Sequence, residues 1–319
     1  MNRPLAMLAA VLLSSVAVAS ACIARPSGPL GFRLTTNSNS RVQLNLHRSE
    51  RGHQDNTGMS FAPSELGGID LAALEQPGQH PIRFALVREP GRIDCAGSGG
   101  SGAATGQCGF TADPTFAALL ENRGIGRPTQ EQEYALTIVG ATRDLIDALE
   151  ANRYPRPDVE KLVELAAVGV NRQFVTELAS RGYRPASLDN LVEFAALDVR
   201  PDYIDALARA GYRNLSAEEI TALKAVGVDP GLIATLAAAG YRNLSADELE
   251  QMAALHITPA FIESFARIGY ARLPVDTLVQ LKALDVTPEF VSKLERHGMR
   301  PDSAEKLAEL KALGADRLK

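Results

Sequence analysis

The chain has 319 residues, of which 45% are hydrophobic, 22% charged and 5% aromatic, with no tryptophan and a formal net charge of -5. This length allows about two domains, and leucine and alanine outweigh aromatics, which favours an aliphatic, helical core. The negative balance argues against general nucleic-acid binding, which needs a positive footprint, and after the N-terminal segment no apolar run reaches the length of a membrane span.

Arg3, the apolar run Leu5–Ala19 broken only by Ser14 and Ser15, and the small-x-small triplet Ala19-Ser20-Ala21 predict a signal peptide over 1–21. A membrane anchor is the competing reading, but it needs a longer run and a charged stop-transfer segment. Cys22 follows the expected cut, as in the bacterial lipobox, whose first mature residue is a lipidated cysteine. Ala19 departs from the leucine preferred there. Lipidation of Cys22 is the expectation, with plain secretion as its competitor. The chain has three cysteines; Cys95 and Cys108 make a natural pair and leave Cys22 over.

After a short linker, 22–28, residues 29–113 read as a small antiparallel β domain. Arg41–His47 alternates polar and apolar, as does Ile82–Leu86, with Gly31–Thr35 a shorter candidate. Ser49–Gly58 is polar and turn-rich and is expected to be an exposed loop. If Cys95 faces Cys108 in a hairpin, the register sets Ile93 opposite Phe110, with both pairs on one face. The intervening Ala96–Gln107 is expected to be a flexible loop, and a disulfide closing it contributes on the order of 2–3 kcal/mol. Gly97–Gly102 lacks the Lys-Ser/Thr and the strand-to-helix context of a phosphate cradle.

Residues 114–319 repeat. Gly182-Tyr183, Gly211-Tyr212, Gly240-Tyr241 and Gly269-Tyr270 recur every 29 residues, and the column continues weakly to Gly298-Met299, Arg153-Tyr154 and Gly124-Ile125. A fixed period of this size marks a stacked repeat array. Each unit holds two short helices. The first starts at a column of Thr129, Asp158, Ser187, Ser216, Ser245, Pro274 and Ser303, mostly N-cap residues. Ser216 with Glu219, Ser245 with Glu248 and Thr129 with Gln132 add capping boxes. The second starts at Asp229-Pro230, Thr258-Pro259 and Thr287-Pro288 and stops at the glycine of Gly-Tyr, in left-handed conformation. Leu223, Val226 and Val228 of one first helix, and Leu232, Ile233 and Leu236 of its second, are expected inward, as are their counterparts in later units. Helices of about ten residues are marginal alone and need neighbours to cover them. About six full units and a terminal half unit are expected. The last one drifts, with Ala315 in place of Val or Ile.

The tyrosine column, Tyr154, Tyr183, Tyr212, Tyr241 and Tyr270, reads as packing between units before it reads as a binding ladder. Arg184, Arg213, Arg242 and Arg300 follow the same column and would make a basic ridge suited to an acidic protein partner or a cell-envelope anion; the competing reading is local pairing with carboxylates such as Glu218 and Asp247. Enzyme and metal signatures are absent: the five histidines are scattered, with no H-E-x-x-H, no Cys/His zinc spacing and no G-x-S-x-G. No catalytic, cofactor or metal residue is assigned.

The units Gly240–Leu249 (GYRNLSADEL) and Val286–Leu294 (VTPEFVSKL) resemble a helical repeat of exported bacterial proteins. They are similar to the extracytoplasmic part of some membrane metallopeptidase sensors of the antibiotic-sensing BlaR type. The likeness covers roughly residues 129 to 315 and, more loosely, Phe84–Arg88 and Cys108–Phe116. It implies export and a repeat architecture. The peptidase is missing, so neither protease nor signalling activity carries over. The expectation is an α+β chain, a small β domain followed by an α-solenoid of helix-turn-helix repeats. It is read as a non-catalytic cell-envelope scaffold, for protein interaction or sensing, without cofactor. Its partner is an envelope protein rather than nucleic acid, and a lipid anchor is its one link to the membrane. The alternative is an envelope enzyme with its site where the β domain meets the array.

Overall fold

A computed structural model describes residues 30–36, 41–50 and 53–315; the expected signal peptide and the whole of the linker, Cys22 included, lie outside them. The fold is α+β. Strands β1 (Leu30–Thr36), β2 (Val42–Glu50), β3 (His53–Phe61), β4 (Leu66–Gly67), β5 (His80–Arg88), β6 (Gly91–Gly100) and β7 (Ala103–Ala112) form one antiparallel sheet in the order β3-β2-β1-β7-β6-β5-β4. Helix α1 (Leu71–Glu75) precedes β5. Alternation decides which face is buried. Phe32, Leu34, Leu44, Leu46, Ile82, Leu86 and Ile93 point to one side, none of them more than 2% exposed. Cross-strand register pairs Phe32 with Leu46, Leu34 with Leu44 and Leu86 with Ile93.

Two expected loops are strand instead. Most of Ser49–Gly58 lies in the β2–β3 hairpin, where Asn45 pairs with Gly58 and Leu46 with Thr57. β3 is a sheet edge, and ladder hydrogen bonds hold a polar strand there without alternation. Ala96–Gln107 is likewise almost all hairpin: Gly97 pairs with Gly106 and Gly100 with Ala103. Only Ser101 and Gly102 turn, with φ of 52° and 82°, the pair of positive values that a type I′ two-residue hairpin loop requires. The close approach explains the glycines. A β-carbon on Gly106 would sit 2.6 Å from the Phe32 ring, and one on Gly97 2.0 Å from the Thr105 carbonyl oxygen. Cys95 and Cys108 pair as expected, with sulfurs 2.02 Å apart, beside the Ile93–Phe110 pair.

Fourteen described helices follow: α2 (Pro114–Asn122), α3 (Gln130–Val139), α4 (Arg143–Ala151), α5 (Val159–Ala167), α6 (Arg172–Ser180), α7 (Leu188–Ala196), α8 (Pro201–Arg209), α9 (Ala217–Ala225), α10 (Pro230–Ala238), α11 (Ala246–Ala254), α12 (Pro259–Ala266), α13 (Val275–Ala283), α14 (Pro288–Arg296) and α15 (Ala304–Ala312). The chain divides into two compact units, residues up to Arg143 with Arg156–Ala167, and Asp144–Pro155 with Val168 onward. In the first, Tyr134 and Ile138 of α3 complete the core under the sheet. Arg88 reaches from β5 to donate to the carbonyls of Ile138 (2.8 Å) and Thr137 (3.4 Å) at the C-terminus of α3. Burial lowers its pKa, and those carbonyls at the negative helix end hold the guanidinium there.

The caps follow the sequence closely. Ser216 and Ser245 each accept from the N–H three residues on at 3.1 Å, while Glu219 and Glu248 accept in return at 2.7 Å. Asp229, Thr258 and Thr287 cap the proline-led second helices. Gly182, Gly211, Gly240, Gly269 and Gly298 all have positive φ, and Arg153 takes the same conformation at φ 58° in its unit. The apolar phase needs one correction. Val226 and Leu255 are only half-buried and Leu284 is 37% exposed, because this position is the C-cap, where the chain turns off the helix axis. The buried column lies six residues earlier: Leu191, Ile220, Leu249, Leu278 and Leu307 are at most 1% exposed. On the second helices Leu207, Leu236, Phe265 and Leu294 are fully buried. Leu232, Ile233, Phe261 and Ile262 pack at the margin of that core.

Candidate functional site

The tyrosine column is spent on joining units. Tyr241 donates its hydroxyl to the Leu273 carbonyl and Tyr270 to that of Pro301, both at 2.7 Å and both one unit onward. Tyr203, on α8, does the same to Val228 at 2.8 Å. Tyr154 is buried under the Arg184 guanidinium, 5.1 Å from the ring centroid, and Tyr183 stacks on Phe194 at 5.6 Å. Burial pushes the phenols of Tyr154, Tyr183 and Tyr203 up to about 12, and it also raises Tyr212, Tyr241 and Tyr270. These rings are packing elements with their polar tips hydrogen-bonded or desolvated, which supports the packing reading over a ladder.

A second cross-unit bond recurs at the helix N-termini. Asn190 donates to Glu218 at 3.4 Å, and Thr277, three units further on, donates to Glu305 at 2.9 Å. Glu218 and Glu305 are held below the usual carboxylate range, first by their own backbone N–H groups and then by these and the capping hydroxyls. In the two intervening units the donor position is Glu219 and Glu248, which serve the capping boxes instead.

The arginines of the column are held mostly by main-chain carbonyls. Arg213 and Arg242 each use Nε on the carbonyl five residues back, Ala208 and Ala237, both at 3.4 Å. Those carbonyls close α8 and α10, so the arginines sit at negative helix ends. Arg184 donates to the Arg153 carbonyl and covers Tyr154. Arg300 is 85% exposed, 3.8 Å from Glu295. Glu218 and Asp247 are not the partners: the contacts go to carbonyls, a ring and Glu295. A stem fixed through Nε leaves both terminal nitrogens of Arg213 and Arg242 for other ligands.

Arg213 lies in an open depression of about 540 Å³ with Arg181, Asp202, Asp205, Ala208 and Arg209. Arg181, at the end of α6, pairs with Asp205 and stands 3.6 Å from Asp202, which is 89% exposed. Arg209 fixes its Nε on the Asp205 carbonyl at 3.2 Å. Sequence reasoning passed over Arg181, Asp202, Asp205 and Arg209, although the repeat register marks them. The same positions one unit later are Ala210, Gly231, Ala234 and Ala238. A smaller depression of about 310 Å³ lies at the β4–β5 edge, between Ser64, Glu65 and Arg88.

Cys22 lies outside the described residues; Cys95 and Cys108 are bonded within the sheet core, far from any role as free thiols. Among the described residues, no group of three or more His, Cys, Asp or Glu is placed to hold a metal ion, and no single helix is long and apolar enough to cross a membrane. Comparison of the chain with protein-family models, curated proteins and solved structures returned no match.

Proposed function

We propose that the protein is a non-catalytic scaffold of the bacterial cell envelope, exported and lipid-anchored at Cys22, whose repeats engage an acidic protein partner along Arg184, Arg213, Arg242 and Arg300. The observation that carries the reading is the repeated anchoring of Arg213 and Arg242 through Nε at the same register. Packing does not require a guanidinium at that position, since Ala271 occupies it one unit on. The core-facing disulfide suits an oxidising compartment, and the N-terminal pattern supports export. The resemblance of the units to exported repeat proteins points the same way.

Two measurements test it. Mass spectrometry of the mature protein should show acyl mass on an N-terminal Cys22; an unmodified N-terminus removes the anchor and leaves a secreted scaffold. Affinity capture from envelope extract, with the mature chain as bait, should retain an acidic protein that a variant with Arg184, Arg213, Arg242 and Arg300 all changed to Ser does not. Retention of the same protein by both baits would end the ridge as an interaction surface.

A further inference from the structure

We infer that the depression between α6 and α8 is a discrete binding site for carboxylate side chains of an acidic peptide segment, gripped by the forks of Arg209 and Arg213. The inference deepens the scaffold reading and rests on it. Three observations place the site here. Both arginines are tethered by Nε to main-chain carbonyls of α8, at 3.2 and 3.4 Å, and neither has a carboxylate partner among the described residues. Their planar terminal nitrogens are thus held in position for a bidentate acceptor. Asp205 and Asp202 are balanced in part by Arg181, so three guanidinium groups face two carboxylates and the depression stays net positive.

The repeat supplies an internal control. The next unit keeps the same helices with Ala210, Gly231, Ala234 and Ala238 at the positions of Arg181, Asp202, Asp205 and Arg209. That unit forms the same helices without these charges, so the repeat architecture as such does not call for them, and their concentration in one unit points to another use. Asp202, exposed at the rim, limits how many negative charges the site accepts and favours a segment in which acidic residues are spaced by neutral or basic ones.

The probe is a fluorescein-labelled peptide in which glutamates alternate with glycines, followed by fluorescence anisotropy with the whole chain. Saturable binding is expected, weakened about tenfold or more by the pair Arg209→Gln and Arg213→Gln and changed less than about twofold by Arg267→Gln, an exposed arginine outside the ridge. Arg209→Lys, which keeps the charge but loses the fork, should also weaken it, and Asp202→Asn should tighten it. Thermal melting of each variant confirms the fold. Unchanged binding in the double variant overturns the site, and so does an equal loss with Arg267→Gln, the sign of general charge attraction. Phosphatidylglycerol vesicles bound through Arg209 and Arg213 in place of the peptide would overturn it in favour of a lipid surface. Loss of the peptide site with capture still dependent on Arg184, Arg242 and Arg300 leaves the scaffold standing; the reverse outcome removes the scaffold and keeps the site.

Discussion

His256 ends α11 with φ 52°, in a column where Gly169, Gly227 and Gly314 take the same left-handed conformation and Asp198 and Asp285 share it with His256. A glycine in that conformation is a usual helix stop; the aspartates and the histidine in the same column carry no such signal in the sequence. A side chain in this region costs roughly 1–2 kcal/mol, offset by the 0.5–1 kcal/mol that glycine loses in backbone entropy. His256 is exposed, so His256→Gly should raise stability by about 0.5–1 kcal/mol in denaturant unfolding. Asp198→Gly should gain less, since Asp198 pairs with Arg200 at 2.6 Å. The tyrosines add a pH dependence. Tyr154 and Tyr183 hold their protons up to about 12 when folded, whereas phenols of the unfolded chain ionise near about 10. The stability they contribute is complete below the unfolded value and is lost as pH rises toward the folded one. Melting temperature should therefore fall across that alkaline window, and less steeply in Tyr154→Phe with Tyr183→Phe; an identical fall in the variant would assign the loss to other groups.

At the scale of elements, the strands and caps that obey a period were readable and the glycine-rich hairpin was not. Val42, Leu44 and Leu46 announce β2 by alternation, and Ser216 with Glu219 announces α9 by capping chemistry. Gly97–Gly106 announces nothing, because glycine marks both turns and close backbone approach. Phe32, on a strand distant in sequence, decides between them: its ring covers the space above Gly106 that a loop would leave open. The arginine ridge was readable as a column, while its anchoring on helix carbonyls was not, since a sequence does not reveal which acceptor lies within reach. The ordered hairpin leaves the expected worth of the disulfide unchanged, because the cross-link acts on the unfolded chain. With Cys95 and Cys108 separated by 13 positions in the sequence, replacing both by Ala should cost about 3 kcal/mol. Denaturant midpoints of wild type and variant check this; no difference would mean that the unfolded chain already keeps the hairpin closed.

Across the whole molecule, the 29-residue period was the most legible feature because every unit answers the same two questions, where each helix starts and which stripe it buries. Leu236 is fully buried among Leu207, Leu223, Leu249 and Met252, contributed by its own unit and by those before and after it. Leu310 occupies the column of Leu223, Met252 and Leu281, which are fully buried, yet it is only half-buried itself against the core of the last described units. If stability is a sum of units and their interfaces, damage must depend on how many neighbours a position has. Leu236→Ala removes a fully enclosed side chain and should cost about 2–5 kcal/mol. Leu310→Ala starts from a site already open to water, where less apolar area is lost and the neighbourhood can close more readily, and it should cost clearly less. Denaturant unfolding of the two variants, with the slopes compared as well as the midpoints, separates the cases. A smaller loss with an unchanged slope for Leu310→Ala supports additive units. Equal losses would mean that the helices unfold as a single cooperative block, in which a peripheral leucine is felt as strongly as a central one, and the picture of stacked, locally supported repeats would have to be abandoned.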